Sequence, residues 1–192
     1  MNKKLLISLL LASSCLGGCA STLESITGSG VVKTYKDSFS NEKVVEMSST
    51  PNFTVENEIA NTFFSAKWKE SQSNKITLIL TSRSDSSSKD TFVSFDNVSI
   101  NIGGEITEFR PTLTTQDSGN YNSVSNTIYT SSRSSIDIST EYLEKMVESN
   151  DTKIKITTRR FFEVIDFTID ANKIGVRNSR PILKNILSEI KK

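Results

Sequence analysis

Val98-Ser99-Ile100-Asn101-Ile102-Gly103-Gly104-Glu105-Ile106-Thr107-Glu108-Phe109 alternates apolar and polar residues up to a glycine pair, and Ile106 and Phe109 follow it. A period of two puts Val98, Ile100 and Ile102 on one face of a strand. The glycine pair predicts a hairpin, because glycine takes positive φ with no Cβ penalty. Two registers compete here. A two-residue loop sets Ile102 opposite Glu105; a three-residue loop of Gly103, Gly104 and Glu105 sets Ile102 opposite Ile106. The second buries more apolar surface and is the expected one. Either way, the stretch calls for an antiparallel sheet.

Outward from it, the chain repeats the same grammar. Phe63 to Lys69 carries Phe64, Ala66 and Trp68 on one side and Ser65, Lys67 and Lys69 on the other. Ile76 to Thr81 sets Ile76, Leu78 and Leu80 against Thr77, Ile79 and Thr81, a second face apolar enough to predict a central strand covered on both sides. Val31 to Tyr35 and Lys43 to Met47 flank Asp37 to Asn41, a loop between paired strands. Ser134 to Ile138, Lys153 to Thr158 and Phe161 to Ile169 are three more strands. In the last of these Phe161, Ile165, Phe167 and Ile169 share a face that only Glu163 interrupts. Ser82 to Asp90 and Pro111 to Thr127 contain little but polar residues and are expected as loops, the second long enough to move.

Two helices are expected, both late in the chain. Ser139 suits the N-cap of a helix over 140–148, with Glu141 at its positive end and Leu143, Met146 and Val147 along one side. Asn178 or Ser179 caps the other, with Pro181 in the first turn. There Ile182, Leu183, Ile186, Leu187 and Ile190 recur at helical spacing. The expected class is therefore mainly β (α+β): an antiparallel β-sandwich or sheet with a short helix near 140–148 and a C-terminal helix packed on it. Residues 31–192 suit one domain, with no internal repeat.

Chemical signatures are few. The 192 residues include no histidine, which excludes Ser-His-Asp and Cys-His catalysis and the commonest zinc sites. No phosphate-binding Gly-x-x-x-x-Gly-Lys sequence occurs. A net charge of +1 argues against nucleic acid as a partner. Asp85, Ser87 and Asp90 lack the spacing of a calcium loop. Lys153, Lys155 and Arg159 share a strand face, as any half-exposed strand would place them, and Trp68 is in phase with core positions. No catalytic residue, metal ligand or cofactor is assigned. A carboxylate pair drawn from 22 acidic residues, or a Ser-Lys dyad, remains a route to hydrolysis, with no pattern in the sequence marking either.

The amino terminus carries the address. Lys3 and Lys4 precede an apolar run from Leu5 to Leu11, and Leu16-Gly17-Gly18-Cys19 closes it. A charged start, a short apolar run and small residues before a cut are the layout of an export signal. The run breaks at Ser13 and Ser14, short of the ~20 residues a membrane span needs. This layout resembles the signal of a bacterial lipoprotein precursor, whose lipobox reads Leu, small, small, Cys. The resemblance implies a signal peptide over 1–18, acylation of Cys19 with chains such as palmitate, and membrane lipid as the first partner. Cys15 is a second candidate, with alanine where the pattern has leucine. A secretory signal cut near Ala20 is the rival. Residues 19–30, rich in Ser and Gly, read as the lipidated cysteine and a flexible tether, unless Ile26 starts the first strand.

By that resemblance, a non-aspartate Ala20 places the chain on the periplasmic face of the outer membrane in a Gram-negative cell, or on the outer surface of a Gram-positive one. The expected function is a cell-envelope lipoprotein with a non-catalytic β-rich domain that binds or positions an envelope protein or glycan. The alternatives are a tethered carboxylate-dependent hydrolase, and a surface adhesin that uses the two polar stretches as its contact edge.

Overall fold

A computed structural model describes residues 30–51, 54–57, 62–86, 92–124, 126–159, 162–167 and 179–192. The segment expected as a signal peptide over 1–18 with Leu16, Gly17 and Gly18, Cys19, most of the expected tether, Ser87, Asp90, Phe161, Ile169 and Asn178 lie outside the described residues.

The chain is mainly antiparallel β. Strands β1 (Val32–Lys36), β2 (Lys43–Pro51), β4 (Thr62–Lys69), β5 (Lys75–Ser86), β9 (Thr127–Ser139) and β8 (Thr112–Asn122) form a six-stranded sheet in that spatial order. Strands β3 (Thr54–Asn57), β11 (Phe162–Asp166), β10 (Thr152–Thr158), β6 (Phe95–Ile102) and β7 (Glu105–Phe109) form a five-stranded one. Inward residues of both sheets meet in a single core, with Ile76, Leu78, Leu80 and Ile136 from the first and Val98, Ile100, Ile154, Ile156 and Ile165 from the second.

Two helices complete that core. Helix α1 (Thr140–Glu148) starts where β9 ends. Ser139 caps it, its hydroxyl accepting from the Tyr142 N–H at 3.0 Å, and Leu143, Met146 and Val147 are buried as expected. Helix α2 (Arg180–Ile190) buries Leu183, Ile186 and Leu187 and packs against α1, β1 and β2. Ser179 occupies the N-cap position of α2 without a side-chain cap. Arg180 instead serves α1. Its guanidinium donates to the carbonyls of Val147 (2.8 Å), Ser149 (2.7 Å) and Phe167 (3.1 Å). A cation at the carbonyl end of a helix satisfies acceptors that have no intrahelical donor and complements the dipole.

Four expectations are corrected. The β6–β7 hairpin turns on two residues, with Ile102 opposite Glu105. Gly103 and Gly104 have φ of 60° and 94°, and the Gly104 N–H donates to Asn101 Oδ1 at 2.8 Å. This register sends Ile106 outward, 62% exposed, and aligns Phe109 with buried Val98. Phe109 then meets Tyr142 edge to face at 5.6 Å. Burying the larger ring outweighs burying the isoleucine.

The second and third corrections concern the polar stretches. Ser82–Ser86 is the continuation of β5, and Thr112–Asn122 is the edge strand β8. Their partner β9 begins at Thr127, well before Ser134. Backbone ladders hold these segments, and Ser and Thr alternate without a hydrophobic signature. The fourth concerns β5. It is central, between β4 and β9, but Thr77 and Ile79 on its second face are only half-buried, so that face is open there.

Candidate functional site

Register alone assembles the first candidate. On the inner face of the six-stranded sheet, Val45, Trp68, Ile76 and Ile138 line up across four strands, and the next row is Met47, Ala66, Leu78 and Ile136. The row after that is mixed: Thr50, Phe64, Leu80 and Ser134. Beyond it, Thr62, Ser82 and Ser132 form a row with no apolar side chain. All of these polar residues are buried, as is Thr130 further along β9. One end of the interior is thus lined with hydroxyls.

Glu163 projects into the interior from the opposite sheet. It is 1% exposed, the one acidic side chain among the buried described residues. Thr62 Oγ1 donates to its Oε2 at 2.6 Å, and the Thr62 backbone N–H also donates to the carboxylate. Oε1 has no hydrogen-bond partner among the described residues. Burial disfavours the charged form and pushes this carboxyl up to about 7, against the two bonds from Thr62. A carboxylic acid this enclosed can hold or release a proton near neutrality. It cannot touch a substrate without the sheets parting, and general acid–base work needs hydrogen-bond reach to the reacting group. The paired inward acids that hydrolysis would use are not assembled among the described residues.

The second candidate is a groove of about 440 Å³ where β5, β9 and β8 run side by side. Arg83, Asp117, Ser118, Gly119, Tyr129, Thr130 and Ser131 line it. The Arg83 guanidinium lies 4.7 Å from the centre of the Phe63 ring, which holds the cation across the face. Tyr129 is half-exposed. At Gly119 a Cβ would come within 3.3 Å of the Tyr129 carbonyl oxygen, a tight contact that β9 would have to yield to by a few tenths of an ångström. The wall offers an aromatic ring, one cation, one anion and several hydroxyls.

A smaller hollow of about 190 Å³ lies on the outer face among Lys67, Lys69, Gln72, Lys75, Thr77 and Ile79. Its cations are already matched: Lys67 with Glu46 at 3.8 Å, Lys69 with Glu42 at 3.4 Å and Lys75 with Asp137 at 3.0 Å. That pairing weakens it as an anion site.

Residues singled out in the sequence are dispersed. Trp68 is buried, its Nε1 donating to the Ser73 carbonyl at 3.0 Å. Asp85 sits in β5 opposite Tyr129, and no group of three or more metal-ligating side chains occurs among the described residues. Lys153, Lys155 and Arg159 are exposed, with Lys155 over the Phe162 ring at 4.8 Å. Arg83, Asp117 and Tyr129 escaped notice because the first two fell inside stretches expected to be loops and the third just past one. Only β pairing brings them together. Among the described residues no helix is long and apolar enough to cross a membrane. Comparison with protein families, with curated proteins and with solved structures finds no match for this chain.

Proposed function

We propose that this chain is a lipid-anchored protein of the bacterial cell envelope whose β-rich domain is a non-catalytic binding module, with the β5–β9–β8 groove as its contact site. The observation that carries the reading is the groove wall: half-exposed Tyr129 lines it together with Arg83 and Asp117, which face Ser131 from either side in the ladder. A sugar ring presents an apolar C–H face and a rim of hydroxyls. An aromatic ring in a groove that also offers one cation, one anion and hydroxyls complements both, and the balanced charge favours a neutral ligand. Envelope glycan is therefore the partner class. Anchoring rests on Leu16-Gly17-Gly18-Cys19 and its resemblance to a lipobox. With Ala20 following, the anchor site is the periplasmic face of the outer membrane in a Gram-negative source.

The decisive experiment is co-sedimentation of the purified protein with insoluble envelope glycan. Tyr129→Ala and Arg83→Ala should each cut binding at least tenfold with the far-UV circular dichroism unchanged. Binding equal to wild type would remove the groove from the account. Separately, Cys19→Ala should abolish incorporation of labelled palmitate. Loss of label on Cys15→Ala instead would move the anchor.

A second reading, a surface adhesin, draws on one observation. Leu113, Tyr121, Val124 and Tyr129 on the β8–β9 hairpin are all exposed, so the polar stretch expected as a contact edge carries apolar contact area as well.

A further inference from the structure

The described sheets have four edge strands, and three of them are guarded. Strand β1 carries Lys33 and Lys36 in five residues, β7 carries Glu105 and Glu108 in five, and β3 is four residues long. Like charges on an edge repel a second copy of the same edge, and short edges offer few backbone groups. Strand β8 has neither protection. It runs for eleven residues with Asp117 as its only charge and no Lys, Arg or Pro. Its hydrogen-bonded neighbour is β9, and every side chain from Thr112 to Gly119 is exposed.

We propose that β8 is a self-association edge, pairing antiparallel with β8 of a second copy across a two-fold axis to give one continuous sheet. The charge pattern selects the occupant. Among the described edges, β8 alone combines a length of eleven residues with a single charge, and a two-fold contact requires self-complementarity. Register follows from the bulges. Pairing with β9 is irregular between Leu113 and Thr115 and again between Ser118 and Tyr121, so the regular edge is Thr115–Ser118. An axis at Asp117 would set two carboxylates directly opposite each other, which is destabilising. An axis at Gln116 sets Thr115 opposite Asp117 twice and Thr114 opposite Ser118. The axis is therefore at Gln116. So short an edge makes a weak dimer in dilute solution. Confinement to one membrane surface would raise its occupancy by local concentration. The pairing itself stands on the edge geometry and does not depend on the anchor or on the groove.

The test is disulfide trapping in the full-length chain. Opposed Cα atoms across the axis lie about 4.5–5.5 Å apart, within disulfide reach. Under mild oxidation Gln116→Cys should give covalent dimer at least tenfold above the wild-type chain, whose own cysteines Cys15 and Cys19 set the background. Thr34→Cys, at the centre of the β1 edge, should stay at background. Gln116→Lys keeps the exposed strand and places two cations on the axis, so at protein concentrations where the wild-type chain sediments as dimer the variant should sediment as monomer. Equal trapping at Gln116 and Thr34, no trapping at either, or a dimer that survives Gln116→Lys would each overturn the proposal.

Discussion

The two ends of the six-stranded sheet are made by the same strands and have opposite interiors. Near Lys75 the inner rows are Val45-Trp68-Ile76-Ile138 and Met47-Ala66-Leu78-Ile136, all apolar and at most 5% exposed. Two rows further along, the same strands present Thr62, Ser82 and Ser132, equally buried, with Glu163 facing them. The β4–β5 and β5–β9 ladders run through both without a register shift, whereas β2–β4 is irregular between Met47 and Thr50. The first end is held by apolar area withdrawn from water; the second relies on hydrogen bonds such as those from Thr62 to Glu163 and from the Val93 N–H to Ser132. What differs is therefore the kind of damage each end can tolerate.

Breaking the apolar end should have the largest effect. Leu78 is 1% exposed at the centre of the core, and Leu78→Ala removes its transfer free energy and leaves a cavity. The loss should be about 2–5 kcal/mol, read as a lower denaturation midpoint with unchanged slope. A cost below about 1 kcal/mol would show that the apolar rows do not carry the domain.

The contrast also explains what the sequence discloses. Phe64, Ala66, Trp68, Ile76, Leu78 and Leu80 announce their strands because one face is apolar at every second position, and α1 announces itself by Ser139 and by Leu143, Met146 and Val147. Ser82 to Ser86 and Thr127 to Ser134 extend the same ladder with mostly polar residues on both faces, and Thr112 to Asn122 pairs with them through two register shifts. Hydrophobic alternation is silent there, and polar composition reads as loop. The reading therefore stops β5 at Thr81 and starts β9 at Ser134, the very rows where the interior turns polar. The groove of Arg83, Asp117 and Tyr129 lies beyond that boundary, so it is invisible for the same reason. Glu163 is legible as an interruption of an apolar face. Its partner Thr62 is not, because the two are joined only by the packing of one sheet on the other.

The polar end should respond to pH where the apolar end does not. Glu163 is raised from an ordinary carboxyl value of 4.5 to about 7 by burial. The folded state thus keeps a proton that the unfolded chain gives up. Its contribution is complete below pH 4.5 and is lost as pH rises through 7, a change on the order of 3 kcal/mol. Glu163→Gln cannot ionise and should flatten the stability profile between those limits. A wild-type profile already flat there would place the Glu163 carboxylate in contact with solvent or with a cation.

The smallest effect should come from a single hydroxyl of the polar end, and it separates a hydrogen-bonded interior from one that is merely crowded. Ser132 Oγ accepts from the Val93 N–H at 3.0 Å, tying the segment that leads into β6 to the inner face of β9. Ser132→Ala changes volume by one oxygen, so almost no cavity forms. What is lost is the acceptor, and the Val93 amide is left facing a methyl group. A neutral hydrogen bond contributes about 0.5–1.5 kcal/mol, and an abandoned buried donor costs about 1–3. Ser132→Ala should therefore lower stability by about 1 kcal/mol and speed hydrogen exchange at the Val93 amide. The neighbouring Ser131 lies on the groove side and is only partly buried. Ser131→Ala should change stability by less than about 0.5 kcal/mol, as surface substitutions do. If the two serines behave alike, the polar rows are passive filler and the distinction between the two ends of the sheet fails.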